Sequence, residues 1–322
     1  MPYPTPSQLE QFESDGYLVM DDALSPEHDL QPVLAEYEEV LDKVAHSLYA
    51  EGTTQSTYAE FSFAERLIKI SSETGCSFSQ HFDISLPQST ICPDTPIHLG
   101  PAVFALLTND RLLDLIEPFI GGEILVSPVQ HIRLKLPIAV LTKTTDGLMG
   151  SVPWHQDNGV LLPEADGSGI LTVWIPLNDA TLANGCLAVL PGSHRDGLQV
   201  HCPSPTKGPH LPAPFVPVDR VSPLPMSAGS VLLMDQRTVH SSLDNKTTDE
   251  VRLSLDLRFQ PVDQPTGRPQ FPSFVARSTR DPGSELRDAA TWAQLWLDAR
   301  AKLARAEPAI FNRWSSDAPA CA

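Results

Sequence analysis

The sequence predicts a mainly β fold with flanking helices, of the sandwich or jelly-roll kind, and three observations support this. The chain has 322 residues, 41% of them hydrophobic, which is enough for a substantial core. Its 31 prolines are many for a helical bundle. After about Gly122, short apolar or β-branched runs are separated by turn signals. We expect one domain, with a helical part at about 1–121, a β core at about 122–262 and a helical extension at about 263–322.

Capping patterns and apolar periodicity predict the helices. Before residue 122 they predict a helix capped by Ser7 and Glu10 and ended by Gly16, a short strand at Tyr17–Met20, a helix from Ser25 and Pro26, and a helix over 104–120. In the extension, Ser284 is expected to cap a last amphipathic helix that contains Trp292 and Trp296.

Seven apolar runs predict the strands of the β core. They lie at 124–126, 129–136, 160–162, 170–176, 186–190, 230–234 and 252–260. A proline-rich stretch at 197–225 interrupts them, and a connection of this length is typical of a lid or a binding loop. A passive surface loop is the alternative.

The net charge and the spacing of the cysteines argue against several classes of function. The formal charge of −18 argues against general binding to nucleic acids or anionic membranes. Five scattered cysteines without a C-x-x-C pair argue against a disulfide framework or a thiolate zinc site, and favour a reducing compartment. With no signal peptide or membrane-length apolar run in this sequence, we expect a cytoplasmic protein. Its oligomeric state stays open.

Three His-x-Asp tripeptides are candidates for a metal site: His81–Asp83, His155–Asp157 and His194–Asp196. In an extended segment, residues two apart project to the same side and can share a metal. The tripeptide at 155–157 is favoured because it lies between two predicted strands. His194 follows a Pro-Gly turn, where we expect it to cap local structure or to support a metal ligand rather than to bind the metal. His81 precedes the β core.

A later histidine and an arginine complete the pattern. An apolar strand leads to His240, and two histidines with one carboxylate form the facial triad typical of non-haem Fe(II). Twelve residues further, Arg252 lies on an alternating strand, where an inward-facing guanidinium requires an anionic partner. A surface ion pair of Arg252 with Asp249, Glu250 or Asp256 is the alternative.

These motifs resemble those of the phytanoyl-CoA dioxygenase family of Fe(II)/2-oxoglutarate oxygenases. The resemblance rests on the Phe12-x-x-x-Gly-Tyr opening, on Trp-His-Gln-Asp157, on the Asn184-Gly…Pro-Gly-Ser-His194 signature, and on His240…Asn245…Arg252. It covers about three quarters of the chain and implies a double-stranded β-helix, a cupin-like jelly roll that forms a single oxygenase domain.

The resemblance also implies the roles of individual residues. His155, Asp157 and His240 would bind Fe(II), and Arg252 would bind 2-oxoglutarate, with Trp174, Ser242 and Gln130 as neighbours. Lys135 or Arg133 could assist, with outward-facing side chains as the equal alternative. Leu187 replaces a threonine of many relatives, so one hydrogen bond to the co-substrate would be missing.

The resemblance therefore predicts an O2-dependent dioxygenase that hydroxylates a C–H bond of a small organic substrate. A role in secondary metabolism is our preferred interpretation, since no basic cluster for a CoA thioester is evident. We expect specificity to lie in 197–225, in 143–150 and beyond Gln260. A cupin-type hydrolase or isomerase with the same ligands, or a non-catalytic scaffold, is the alternative.

Overall fold

The computed structural model describes residues 3–141, 148–204, 208–307 and 309–321. Within them six α-helices form: α1 (Pro6–Asp15), α2 (Gln31–Ala50), α3 (Phe63–Thr74), α4 (Pro101–Leu107), α5 (Asp110–Ile120) and α6 (Ala289–Leu303). A π-helical turn, Pro26–Leu30, leads into α2 after the cap at Ser25. Five of these helices precede residue 122, as expected.

The same residues contain ten strands. They are β1 (Tyr17–Met20), β2 (Glu123–Val126), β3 (His131–Lys135), β4 (Leu171–Pro176), β5 (Leu187–Val189), β6 (Ser222–Leu224), β7 (Val231–Asp235), β8 (His240–Ser242), β9 (Arg252–Pro261) and β10 (Phe274–Ser278). Six of the seven predicted core runs coincide with one of these strands.

The strands form two antiparallel sheets. Over the described residues, the larger sheet has the order β1-β7-β4-β9-β2-β10, with β3 also paired to β9, and the smaller has the order β6-β5-β8. β9 lies at the centre of the larger sheet, because β4 pairs along one edge while β3 and then β2 pair along the other. This is the expected jelly-roll arrangement.

The alternation along β9 separates the hydrophobic core from the site. Its leucines and Phe259 point to one face and join the main core, which α2 to α5 also line. Its polar residues point to the other face, toward the smaller sheet: Arg252, Ser254, Asp256 and Arg258. A buried leucine such as Leu255 contributes about 1.5–3 kcal/mol through burial, so the apolar face anchors the polar one.

Two predicted helix starts were wrong. Thr5, not Ser7, caps α1: its hydroxyl accepts from the Gln8 amide and the Gln8 side chain accepts from the Thr5 amide, with Pro6 at the first helical position. Asp288, not Ser284, caps the last helix, because its carboxylate accepts from the Thr291 amide.

Two predicted elements also differ from the structure. The helix expected over 104–120 is two helices, because Asn109 accepts from two amides of the next turn and starts α5. The strand expected at 160–162 is absent, and 3-10 turns at Asp157–Val160 and Pro163–Ala165 take its place. Leu161, the central residue of this run, packs in a small buried cluster with Val129, Ala165 and Ile170, which explains its hydrophobicity.

The flanking parts contribute to the larger sheet. β1 pairs with β7, and β10 pairs with β2, so strands from before residue 122 and after residue 262 extend the core at both edges. The expected boundaries at 122 and 262 therefore do not separate the sheet from the rest.

A disulfide joins Cys202 to Cys321, which corrects the expectation drawn from scattered cysteines. The two residues are 119 positions apart, and only the path of the chain brings their Cα atoms to 5.4 Å. No helix in the described part combines the length and the hydropathy that spanning a bilayer requires.

Candidate metal centre

Two histidines and one aspartate meet between the sheets. The candidate ligand atoms of His155, Asp157 and His240 lie within 4.8 Å of one another, and all three residues are buried. His155 Nε2 is 3.5 Å and His240 Nε2 is 4.0 Å from Asp157 Oδ1. Among the described residues this is the one cluster of its kind.

The backbone explains why they converge. His155 and His240 exchange two backbone hydrogen bonds of 3.0 Å, which adds His155 to the edge of β8. Gln156 is extended, with φ −114° and ψ 138°, so Asp157 projects to the same side as His155. The expected geometry of the tripeptide is present.

The donor set fits a divalent transition metal. His155 Nδ1 donates to the carbonyl of Pro153 and His240 Nδ1 donates to that of Thr238, both at 2.9 Å. Since a carbonyl only accepts, the Nε2 atoms carry the lone pairs and face Asp157. Burial, together with His155, lowers the pKa of His240 to about 4, so this imidazole is neutral at pH 7, as a metal ligand must be.

Asp157 is fixed as an anion. Burial would raise its pKa, but Arg258, His240 and His155 hold that pKa well below the usual range. Arg258 Nη2 donates to Asp157 Oδ1 at 2.5 Å, and the hydroxyl of Thr172 donates to Oδ2. Both partners lie on the larger sheet, so the centre bridges the two sheets.

The other two tripeptides do not form such a site. His81 is exposed and lines a separate cavity beside α2, while Asp83 bonds to His131. His194 Nε2 donates to the carbonyl of Glu13, and Asp196 is exposed. The choice of His155 and Asp157 agrees with this geometry.

A family model and individual relatives identify the class. The model of the family described as Phytanoyl-CoA dioxygenase (PhyH) matches residues 12–254. The chain belongs to the phytanoyl-CoA dioxygenase family. It is accordingly an iron- and 2-oxoglutarate-dependent dioxygenase, with these two as its cofactor and co-substrate.

Two individual relatives and one solved structure are also similar to this chain. A phytanoyl-CoA dioxygenase domain-containing protein 1 of Danio rerio is 27% identical over 271 residues, which are 77% of this chain and 87% of that protein. A 1-deoxypentalenic acid 11-beta-hydroxylase of Streptomyces arenae is 33% identical over 124 residues, 36% of this chain and 43% of that protein. The non-haem monooxygenase ThoJ, without ligand, has a TM-score of 0.60 at 19% identity, with 92% and 96% covered, which shows the double-stranded β-helix fold.

The Pro-Gly-Ser-His signature of the family has a structural role here. Gly192 adopts φ 76°, a left-handed conformation that glycine tolerates, and its amide donates to the carbonyl of Asp15 in α1. The next residue, Ser193, accepts a 2.9 Å hydrogen bond from the backbone of Val239. The signature thereby fixes the strand that delivers His240.

Arg252 lies fully buried in a narrow chamber next to the metal centre. Trp174, Leu187, Ser242, His155 and His240 also line it. The guanidinium lies 5.2 Å above the Trp174 ring and its Nη1 donates to Ser254, while its Nε has no hydrogen-bond partner in the described part of the chain. Burial, with Arg133 nearby, lowers the pKa of Arg252 to about 9, a sign of a cation that lacks its anion. Among the described residues, Arg252 forms no ion pair, and the nearby Asp256 pairs with Arg133 and Arg258 instead.

The remaining candidates for the co-substrate site divide into two groups. Ser242 accepts from Lys135 Nζ at 2.6 Å, so Lys135 faces inward, beside Arg252. Gln130 is buried, but its amide donates to the carbonyl of Ser127 and it lines neither cavity at the centre. Its role as a contact of the co-substrate stays a prediction.

A second cavity of about 320 Å³ also reaches the metal centre, at His155. It shares Arg133, Val152 and His155 with the first chamber, and Gly208 and Pro209 of the proline-rich stretch line it. Phe215, in the same stretch, does not line this cavity and is 46% exposed. Residues 142–147 and 205–207, parts of two expected specificity loops, lie outside the described residues.

Sequence reasoning missed Arg258 and Thr172. Arg258 lies six residues after Arg252 on the same strand, so strand alternation places both on one face. That signal was readable: an Arg-x-Ser-x-Asp-x-Arg run puts two cations and an anion on a buried face. For Thr172, an ordinary strand residue, the sequence carries no signal.

Proposed function

We propose that this chain hydroxylates a C–H bond of a small organic substrate with a largely apolar body. One observation carries the proposal: two cavities, one with an unpaired arginine and one mainly apolar, meet at the buried triad. A dioxygenase of this class must place a dicarboxylate and a substrate on adjacent sides of one metal.

In this proposal His155, Asp157 and His240 hold the iron. Iron, when bound, supplies O2 activation at the expense of 2-oxoglutarate. The chain holds two imidazoles and one carboxylate in fixed orientations, because each has a hydrogen-bonded partner behind it. Three ligands leave coordination positions for the reactants.

Arg252 binds the distal carboxylate of 2-oxoglutarate. Its planar guanidinium matches a carboxylate, and the Trp174 ring limits its movement. The hydroxyl of Ser242 offers a further donor in the same chamber, and the buried amine of Lys135 lies behind it and donates to it. Burial excludes water, which strengthens each of these charge-assisted hydrogen bonds.

The second cavity favours a small, largely apolar substrate. About 320 Å³ is at the small end of ligand pockets. Its apolar lining comprises Pro87, Val129, Leu148, Val152, Pro153, Val160 and Pro209. Arg133 and Arg258, its cations among the described residues, are both paired with Asp256, so they are already engaged and poorly suited to the phosphates of a CoA thioester.

The relative named as a 1-deoxypentalenic acid 11-beta-hydroxylase supports hydroxylation of an organic molecule, and a role in secondary metabolism stays a prediction. We further propose that the chain acts as a single oxygenase domain. A cytoplasmic location stays a prediction, and the Cys202–Cys321 disulfide is not expected of a reducing compartment.

Succinate formation tests this function. With Fe(II), O2 and 2-oxoglutarate, the protein should release succinate even without its true substrate, through slow uncoupled turnover. His155→Ala and His240→Ala should abolish this release, whereas His81→Ala and Asp196→Ala, from the other tripeptides, should retain it. Release that does not require Fe(II) or 2-oxoglutarate, or that survives His155→Ala, would contradict the proposal.

A further inference from the structure

The segment 311–321 lies outside the family match at 12–254 yet contacts the loop that carries Asp157. Trp314 Nε1 donates to the carbonyl of Gly159, two residues after Asp157, at 2.5 Å. Arg313 pairs with both oxygens of Asp166 at the end of that loop, at 2.5 and 2.7 Å. The loop after the metal motif is therefore bound at two points by this segment.

A second connection runs through His201. Trp314 stacks on this ring, with centroids 5.2 Å apart and planes at 26°. The fully buried His201 accepts a 2.9 Å hydrogen bond at Nε2 from the backbone amide of Gln156, which lies between His155 and Asp157. Trp314 thus restrains the backbone on both sides of Asp157.

Gly159 and the His201 ring are tightly packed. A Cβ on Gly159 would lie 2.3 Å from the His201 ring, so only glycine fits between the ring and the loop. The disulfide attaches Cys321 to Cys202, the residue after His201. It therefore links the segment 311–321 covalently to the part of the chain that contacts Trp314.

We propose that Trp314 is a positioning residue for the metal centre, acting through Gly159 and through His201 on Gln156. The inference rests on the proposed function, because it assumes that His155 and Asp157 bind a metal. Ligands must be held within about 0.5 Å of their productive geometry, and backbone restraints on both sides of Asp157 provide this.

Cobalt(II) binding and amide hydrogen exchange test the inference on the full-length protein. Trp314→Phe keeps an aromatic ring but removes the N–H donor, and should raise the cobalt dissociation constant about 3- to 10-fold, as expected for one lost hydrogen bond. Trp314→Ala also removes the stacking and should raise it about 10- to 100-fold. In metal-free Trp314→Phe, peptides covering 154–160 should exchange faster than in the unmodified protein.

Trp292→Phe is the matched control, since Trp292 is buried in the same extension and packs against Phe104, away from the loop. Trp292→Phe should leave both the cobalt dissociation constant and the hydrogen exchange of peptides covering 154–160 unchanged. Weaker cobalt binding together with faster exchange in Trp314→Phe supports the inference, and the absence of either change overturns it. If the unmodified protein binds no cobalt, the proposed function fails as well, whereas normal binding in Trp314→Phe refutes only the positioning role.

Discussion

Arg252 is a buried guanidinium whose hydrogen bonds in the described part of the chain reach a serine and no carboxylate. Its neighbours include the Trp174 ring, the cation Arg133 and the carboxylate of Asp256, but Asp256 is already paired with Arg133 and Arg258. A buried charge without its own counterion is costly, and the proposed co-substrate would bring that negative charge.

Replacing Arg252 should therefore affect the co-substrate far more than the iron. Arg252→Ala loses charge-assisted hydrogen bonds worth about 1.5–3 kcal/mol, which raises the half-saturating 2-oxoglutarate concentration about 10- to 150-fold. Arg252→Lys should recover only part of this loss, because an ammonium cannot form the planar pair.

Titration of each variant with 2-oxoglutarate at saturating Fe(II) measures the effect. Arg277→Ala is the control, because Arg277 pairs with Asp114 and Glu117 in a surface cluster. If Arg252→Ala and Arg277→Ala require the same amount of 2-oxoglutarate, Arg252 does not bind the co-substrate.

Lys135 gives a pH-dependent prediction. Burial and the nearby Arg252 lower its pKa to about 6, so its amine is largely neutral in the free protein above that pH. A bound carboxylate would raise this pKa toward the usual 10.5. Between these values binding takes up a proton, and affinity for 2-oxoglutarate falls as pH rises.

Calorimetry at pH 8 in two buffers of different ionisation enthalpy measures the uptake, expected to approach one proton per 2-oxoglutarate. Lys135→Met should abolish it. Equal uptake in the variant and the unmodified protein would show that another group takes the proton.

At the level of single residues, the sequence predicted those site residues that are marked by both their type and their spacing. His155, Asp157 and His240 meet as expected, and Arg252 faces inward as expected. Thr172, a partner of Asp157, was missed because the two residues are adjacent only in space.

Among the larger elements, the proline-rich stretch is tied to the metal motif at its base. Gln156 accepts from the Gln199 amide and donates to the Gly197 carbonyl, and the Leu211 amide donates to the carbonyl of Trp154. Movement of this stretch as a lid stays a prediction, and closure would act at Gly208 and Pro209, which line the second cavity.

The disulfide links this stretch to the end of the extension. Cys321→Ser should lower the free energy of unfolding by about 2–5 kcal/mol, because the cross-link closes a long loop of the unfolded chain. Urea unfolding measures it, and reduction of the unmodified protein should give the same loss.

Cys92→Ser is the control, because Cys92 is an exposed free cysteine. A loss as large in Cys92→Ser, or no loss in Cys321→Ser, would contradict a stabilising role for the disulfide.

Strands were predicted better than helix boundaries for a physical reason. A strand in a buried sheet requires a continuous apolar run, as in β4, which is buried throughout. Helix starts depend on single polar side chains, and Thr5 competed with Ser7 only two residues away. The run at 160–162 was misread because a buried turn needs apolar residues as well.

The whole molecule is organised around the separation of its two sheets. Helices cover the outer face of the larger sheet, and the inner faces enclose the triad and both cavities. The predicted jelly roll is confirmed, but the sequence did not show that β1 and β10 extend its edges, since pairing between distant segments leaves no local pattern.

The most direct measurement of the central claim is an anaerobic titration of the metal-free protein with Fe(II) and then 2-oxoglutarate, followed by visible absorption. We expect one iron and one 2-oxoglutarate per chain, with the weak charge-transfer band of chelated 2-oxoglutarate, and no band in His240→Ala. A saturated titration of the correctly folded protein without this band, or an equal band in His240→Ala, would show that His155, Asp157 and His240 do not form the proposed iron site.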